Sequence, residues 1–481
     1  MKKLTQRKLV LVAAAVLFIV FSVKSQDRQL ELLGRWQDTT LVGSRFYDNA
    51  YNEVWGLVVD GREYAIIGST AGTHFIDVTD PSEPTQVQFV AGRFQGDGVV
   101  HRDYHDYKGF LYAVCDEGPS TLQIMDITML PDTVTVVYDS NEFFARSHNI
   151  FIDSSQAKLY IHLARGGSGP NAPMQLIDIA VPDTPRLINA YYRFGPLAVS
   201  QVHDGYIKDN LAYLNCGPSG FALVDFTDPD NPNTLSVMTP TDYPFAGYNH
   251  SGWPSCDDRY YYMADENHGH LMKVLDLDDP TNPVVVNTFS ANAPDSANSI
   301  PHNQLVACNY LYVAYYYDGL QIFDITDPEN PVKAAYYNTS KIAGRRSYEG
   351  AWGVYPYLPS GNILVSDMQE GLFVLEPIGD NCYSIPVCGQ GTWTNDITLY
   401  DLKIYPNPSN GEYLQWKGLQ VSGEVQLDIY DMYGRALFTG KYDQLPETGN
   451  VDFSDTFAPG HYIVQISSGK SRYSATWVVM P

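Results

Sequence analysis

Along most of the chain, short apolar runs alternate with clusters of Asp, Pro, Asn and Gly. Runs such as "LYAV" at Leu111, "LYIHLA" at Leu159 and "LYVAYY" at Leu311 are too short for helices and lack a 3.6-residue apolar spacing. Bounded by turn residues and rich in Tyr, Val, Ile and Leu, they read as strands. A second class of run ends on an acid: "FIDVTDPSEP" at Asp77, "IMDITMLPDT" at Asp126, "LIDIAVPDTP" at Asp178, "LVDFTDPDNP" at Asp225, "VLDLDDPTNP" at Asp276 and "IFDITDPENP" at Asp324. These aspartates stand 49, 52, 47, 51 and 48 residues apart, and "LFVLEP" places Glu376 another 52 on. A fixed period of this length marks a repeat architecture.

Each unit predicts four short antiparallel strands, which is the content of a propeller blade. The seventh unit supplies strands near "AWGVYP", "NILVSD" and "GLFVLEP" but no fourth after Glu376. The segment "LELLGRWQDT", residues 30–39, resembles the missing strand. Lending it from the N-terminus would close the ring and leave no open edge between the first and last units. The expectation is an all-β chain: a seven-bladed β-propeller over residues 26–379, a linker over 380–396 and a small β-sandwich over 397–481. That last region alternates differently, in "DLKIYPNPSNGEYLQW", "VQLDIYDMYGRALFTG" and "FAPGHYIVQISSGKSRYSATWVV", without the fifty-residue period.

The Asp-Ile-Thr-Asp-Pro phrase and its period resemble the LVIVD repeat, and the run from Leu30 to Pro377 is similar to the choice-of-anchor B family of exported bacterial proteins. The Tyr-Pro-Asn-Pro at 405–408, the Asp-Met-Tyr-Gly-Arg at 431–435 and the Gly-His-Tyr at 460–462 resemble a type IX secretion sorting domain of type A. That resemblance implies contact with the type IX secretion machinery through residues 397–481, and release or attachment at the outer cell surface. It implies no reaction. At the other end, Lys2, Lys3, Arg7 and Lys8 precede an apolar run from Leu9 to Val23. Fifteen helical residues span roughly 22 Å, short of a ~30 Å hydrocarbon core, so residues 1–25 read as a signal peptide. With the signal removed, the chain is not expected to be an integral membrane protein.

Thirty basic against 55 acidic residues give a formal charge of −25. Polyphosphate would be repelled on average, which argues against nucleic acid as a partner. In an exported chain the six cysteines invite disulfides. Cys382 and Cys388, close together in "NCYSIPVC", form one candidate pair. Cys256 and Cys308, each six residues after a repeat histidine, form another.

Aligning the units places His105, His148, His203, His250 and His302 in one column, with Glu53 and Glu349 in the first and seventh units. The chain has only 11 histidines, so five in one column call for a cause. The column falls at the start of each first strand, which would ring one mouth of the axial channel. Asp116, Glu117, Asp265, Glu266, Asp318, Asp367 and Glu370 reach the same end on loops after the second strands. Arg102, Arg146, Arg345 and Arg346 precede column residues by two to four positions. One reading is architectural: each histidine fixes its own loop. The other is a site. The neighbours His148, His203 and His250 would share a divalent metal such as zinc, with Asp204 orienting a ring, or one histidine would act as general base beside an arginine. The favoured function is a binding module for a glycan or surface protein. The alternative is a metal- or histidine-assisted hydrolase or lyase on an anionic polysaccharide, and a passive adhesion spacer is a third. No cofactor is certain, because no Gly-x-Ser-x-Gly, His-Glu-x-x-His or phosphate-loop motif is present. Tyr104, Tyr248, Trp253, Tyr348 and Trp352 are expected near the mouth, where aromatics either stack on sugars or pack between units.

Overall fold

The computed structural model describes residues 28–292, 300–341, 348–379 and 398–480, apart from 410, 420–424, 432–435, 454–456, 459 and 469–470. The expected signal peptide, Arg345 and Arg346, Cys382 and Cys388, and the expected linker lie outside the described residues.

Up to residue 379 the chain forms four-stranded antiparallel sheets, laid down one after another. Their first strands are Tyr51–Val59, Arg102–Tyr107, Ile150–Asp153, Asp204–Lys208, Asn249–Pro254, Gln304–Ala307 and Ala351–Tyr355. Six sheets take all four of their strands consecutively. The last is completed by Leu32–Trp36, antiparallel to Gly371–Leu375. Arg28–Gln29 adds in parallel to Val332–Tyr337 of the preceding sheet, so the N-terminal segment ties the sixth sheet to the seventh. Glu376 holds this seam: it accepts from the Glu31 amide at 2.8 Å and pairs with Arg28. Each first strand packs beside the next, and Ala351–Tyr355 returns beside Tyr51–Val59.

Burial falls from the first strand to the fourth. Arg102–Tyr107 and Ala351–Tyr355 are buried at every residue, whereas Thr85–Ala91 and Thr135–Ser140 are largely exposed. Inner strands are covered by neighbouring sheets on both faces. The middle strands, such as Phe110–Cys115 and Tyr310–Ala314, are therefore largely apolar, whereas first strands such as Arg102–Tyr107 bury polar side chains as well.

The repeated aspartates sit at the end of the third strands, and all do the same thing. Oδ1 of Asp77, Asp126, Asp178, Asp225, Asp276 and Asp324 accepts the amide N–H two residues on, at 2.8–3.0 Å. These are Asx turns, in which the side chain stands in for a backbone turn and stops the strand. The following third-to-fourth pairing shifts register in each of these sheets, the kind of bulge that increases local twist.

Beyond residue 398 a five-stranded and a three-stranded sheet enclose a separate core containing Leu414, Trp416, Leu427, Ile429, Val464 and Trp477. Cys256 and Cys308 are disulfide-bonded, while Cys115 and Cys216 are free and buried. Among the described residues, no helix is long and apolar enough to cross a membrane.

Candidate functional site: a histidine circle and the cavity beyond it

The first strands bring six aromatic rings into a closed circle. Centroids are 4.3 Å apart for His101–His148, 4.0 Å for His148–His203, 4.4 Å for His203–His250 and 4.5 Å for His250–His302. Trp352 completes it, 4.5 Å from His302 and 5.3 Å from His101. Four of the expected five histidines are here, but His105 is not. It lies four residues further along its strand, against Trp55 and Phe151. His101 takes its place. The phrase "HRDYHDY" offers two histidines, and the discriminating signal is the residue three positions later. Tyr104, Phe151, Tyr206, Trp253, Leu305 and Tyr355 follow His101, His148, His203, His250, His302 and Trp352 at that spacing, and Trp55 follows Asn52 in the first unit.

The acids assigned to the column are displaced as well. Glu53 stands one residue beyond the circle, and in the seventh sheet Trp352, not Glu349, is the circle member. Arg102 is buried and structural: Nε donates to the Ser69 carbonyl at 2.8 Å and Nη2 to that of Phe94 at 2.6 Å. Arg146 is exposed, and its backbone forms a bridge with Arg165.

Every histidine of the circle has a different neighbour. His101 Nε2 donates to Asn149 Oδ1 at 2.9 Å, and its backbone N–H donates to Glu117 at 3.1 Å. His148 Nδ1 meets Asp116 at 2.7 Å, and His203 Nδ1 meets the Tyr248 hydroxyl at 2.8 Å. His302 Nδ1 donates to the Trp352 carbonyl at 2.6 Å. Glu266 reaches in from its loop, with Oε2 3.8 Å from His250 Nε2 and Oε1 accepting from the Tyr316 hydroxyl at 2.6 Å. Among the imidazoles of the circle, three buried nitrogens have no hydrogen-bond partner: His101 Nδ1, His203 Nε2 and His250 Nδ1.

Burial, reinforced by the neighbouring histidines, holds His101, His203 and His250 well below the usual imidazole range. They are therefore neutral, with lone pairs available for a metal. His148 differs. Burial opposes its charge, but the bond and charge of Asp116 outweigh burial and raise it. Burial lifts Glu266 to about 7. Ligand atoms of His203, His250 and Glu266 all lie within 4.8 Å of one another, so Glu266 rather than His148 joins the two histidines in the tightest metal-competent group. Entry is from the side of His148, Asp116 and Glu266, whose side chains are 15%, 26% and 15% exposed. Tyr348, edge-on to both Tyr47 and Tyr316 at 5.5 Å, stands beside Glu266 on that side. Of the other expected aromatics, Tyr104 is buried and bonded to Thr73, and Tyr248 supports His203.

Residues following the circle along the same strands line a cavity of about 60 Å3, among them Glu53, Asp103, His105, Asn149, Asp204 and Asn303, with Trp55 and Trp253 in its wall. Glu53 reaches it across Gly353, where a Cβ would lie 1.9 Å from Glu53 Oε1.

The family model for the LVIVD repeat matches residues 305–339, and that for the secretion system C-terminal sorting domain matches residues 403–480. No curated protein matches the chain. Among solved structures, a functionally unknown protein from Desulfotomaculum acetoxidans is similar at 13% identity and a TM-score of 0.43, over 69% of this chain and 90% of that one. A putative 6-phosphogluconolactonase from Bacteroides uniformis is similar at 14% identity and a TM-score of 0.42, over 63% and 84%. Neither likeness bears on activity. The chain carries an LVIVD repeat and a C-terminal sorting domain that directs its export through the type IX secretion system to the cell surface or beyond.

Proposed function

We propose that residues 26–379 form a closed seven-bladed propeller acting as a surface binding module, and that its histidine circle holds a divalent transition metal at the ligand-binding mouth. The observation that carries this reading is the circle itself. Four of its imidazoles are held by four different hydrogen-bond partners, and buried nitrogens of His101, His203 and His250 have none. Gathered at adjoining positions, such nitrogens call for a partner, and zinc takes neutral imidazole and carboxylate in tetrahedral sites. His203, His250 and Glu266 are the proposed ligands, with His148 beside them. Tyr248 and Tyr316 orient two of the three, as partners of metal ligands do. A fourth coordination position would face the entry side, where Tyr47 and Tyr348 offer faces for a sugar ring. A glycan is therefore the proposed partner.

The test is elemental analysis and zinc calorimetry on the full chain. One ion per chain, lost in His203→Ala and His250→Ala, is expected; no stoichiometric ion in the wild type overturns the metal reading. A catalytic variant draws on His148 and Glu266 as an acid–base pair: Asp116 raises the imidazole against the effect of its burial, and burial lifts the carboxyl to about 7. Release of new chain ends from an acidic polysaccharide, abolished by His148→Gln, would establish it.

A further inference from the structure

The cavity beyond the circle is a different chemical environment, and neither the metal reading nor the sorting domain gives it a role. Glu53, Asp103 and Asp204 place three carboxyls around it, and no lysine or arginine is among its lining residues. Two asparagines add oxygen donors. Asn303 gives Nδ2 to Glu53 at 2.5 Å, which leaves its buried Oδ1 without a partner. Asp103 Oδ2 accepts the Ile150 amide at 2.7 Å, and Glu53 Oε1 accepts that of Val54 at 3.0 Å. These bonds reach both oxygens of Glu53 and one of Asp103, as the Gly205 amide reaches one of Asp204, and all come from neutral donors that supply no counter-charge.

A second observation points to a guest. His105 is only 2% exposed and lines the cavity, and its Nδ1 lies 3.3 Å from the Asp106 carbonyl, to which it donates. Its Nε2, then a bare lone pair, has no partner at all. Buried polar atoms are rarely left this way unless water or an ion meets them.

We propose that this cavity binds a hard divalent cation of the calcium class, held by Glu53, Asp103, Asp204 and Asn303 with part of its water shell retained. The three carboxylates do not converge within 4.8 Å as His203, His250 and Glu266 do, so bound water must bridge some of the distance. The volume leaves room for an ion with a few waters, and His105 Nε2 accepts from one of them. Calcium tolerates mixed carboxylate, amide and water oxygens at irregular angles, whereas magnesium demands a near-octahedral shell. Neutral imidazoles select the opposite class of metal, so the two tiers along the strands would sort cations by softness.

The experiment is terbium luminescence on the full chain, because Trp55 and Trp253 in the cavity wall would sensitise an ion bound there. We expect tryptophan-excited emission that calcium displaces and magnesium does not. Trp55→Phe should dim it without weakening calcium binding. Asp103→Asn should weaken calcium binding by roughly 10–100-fold, the usual consequence of losing a carboxylate that acts on a metal directly or through its water. Calcium should also raise the melting temperature of the wild type, a readout that needs no variant. His203→Ala should leave the emission intact, which separates this site from the histidine circle. Absence of sensitised emission, emission unaffected by Trp55→Phe and Asp103→Asn together, or displacement by magnesium as readily as by calcium would each overturn the proposal.

Discussion

Two residue types recur from sheet to sheet, the aspartate that closes the third strand in six of them and the histidine that precedes or opens the first in five, and they recur for different reasons. Each aspartate makes the same bond, to the amide two residues on, at a turn on the edge of its own sheet. The histidines have different partners: an asparagine, an aspartate, a tyrosine, a glutamate and a backbone carbonyl. Repetition with one partner is architecture, since every unit solves the same local problem. Repetition with changing partners means the units have diverged around something they share, and here they share the axis.

That contrast can be broken by experiment. The largest effect should come from removing residues 28–36, which would leave Gly371–Leu375 an unpaired edge and untie the sixth and seventh sheets. We expect loss of a cooperative melt or of soluble protein; a truncated chain that melts like the wild type would mean the seam is dispensable. Replacing Cys256 and Cys308 by serine opens a cross-link between consecutive sheets. A loss of about 2–4 kcal/mol in chemical denaturation is expected, with metal content unchanged.

Acid should destabilise the fold through its buried imidazoles. His162 is fully buried with neither ring nitrogen partnered, and burial pulls it down to about 3. Because the folded value lies below the unfolded one near 6.5, the unfolded chain takes up the proton first. Stability is full above that value and is lost as pH falls. At roughly 1.4 kcal/mol per unit, His162 alone accounts for about 2 kcal/mol by about pH 5. His162→Leu should flatten that limb in melts between neutral and acid pH, and an unchanged slope would remove His162 from the account. The smallest effect is expected at one aspartate turn. Asp225→Ala, which removes bonds to Thr227 N and Oγ1, should cost about 1 kcal/mol and leave metal binding untouched. Loss of metal in this variant would blur the distinction between turn and circle.

The sheets were legible because their signals are local: apolar runs, Asp-Pro turns and a fifty-residue period. The N-terminal strand was legible by counting, since Leu32–Trp36 fills a gap in an otherwise regular series. At the site the period located the column but not its register, because "HRDYHDY" contains two histidines and only the aromatic spacing separates His101 from His105. Trp352 escaped a search for ionisable groups, although its ring closes the circle. Glu266 enters from a loop whose approach depends on Tyr316 of the next sheet, a contact that no local pattern encodes. Arg102 was misplaced because its strand position is right but its side chain turns back to bond carbonyls at Ser69 and Phe94. The cavity depends on residues from separate sheets meeting at one level, so Glu53 and Asp204 stood out singly while their convergence did not.

The central claim is that the imidazoles around the axis bind rather than brace, and cobalt(II) absorption on the full chain, read beside thermal melts, tests it most directly. The account predicts a tetrahedral visible spectrum that saturates at a single ion and is displaced by zinc. It also predicts that His203→Ala and His250→Ala abolish the spectrum while melting near the wild type. No spectrum in the wild type, together with alanine variants that lose the roughly 3 kcal/mol of an emptied core position, would contradict it.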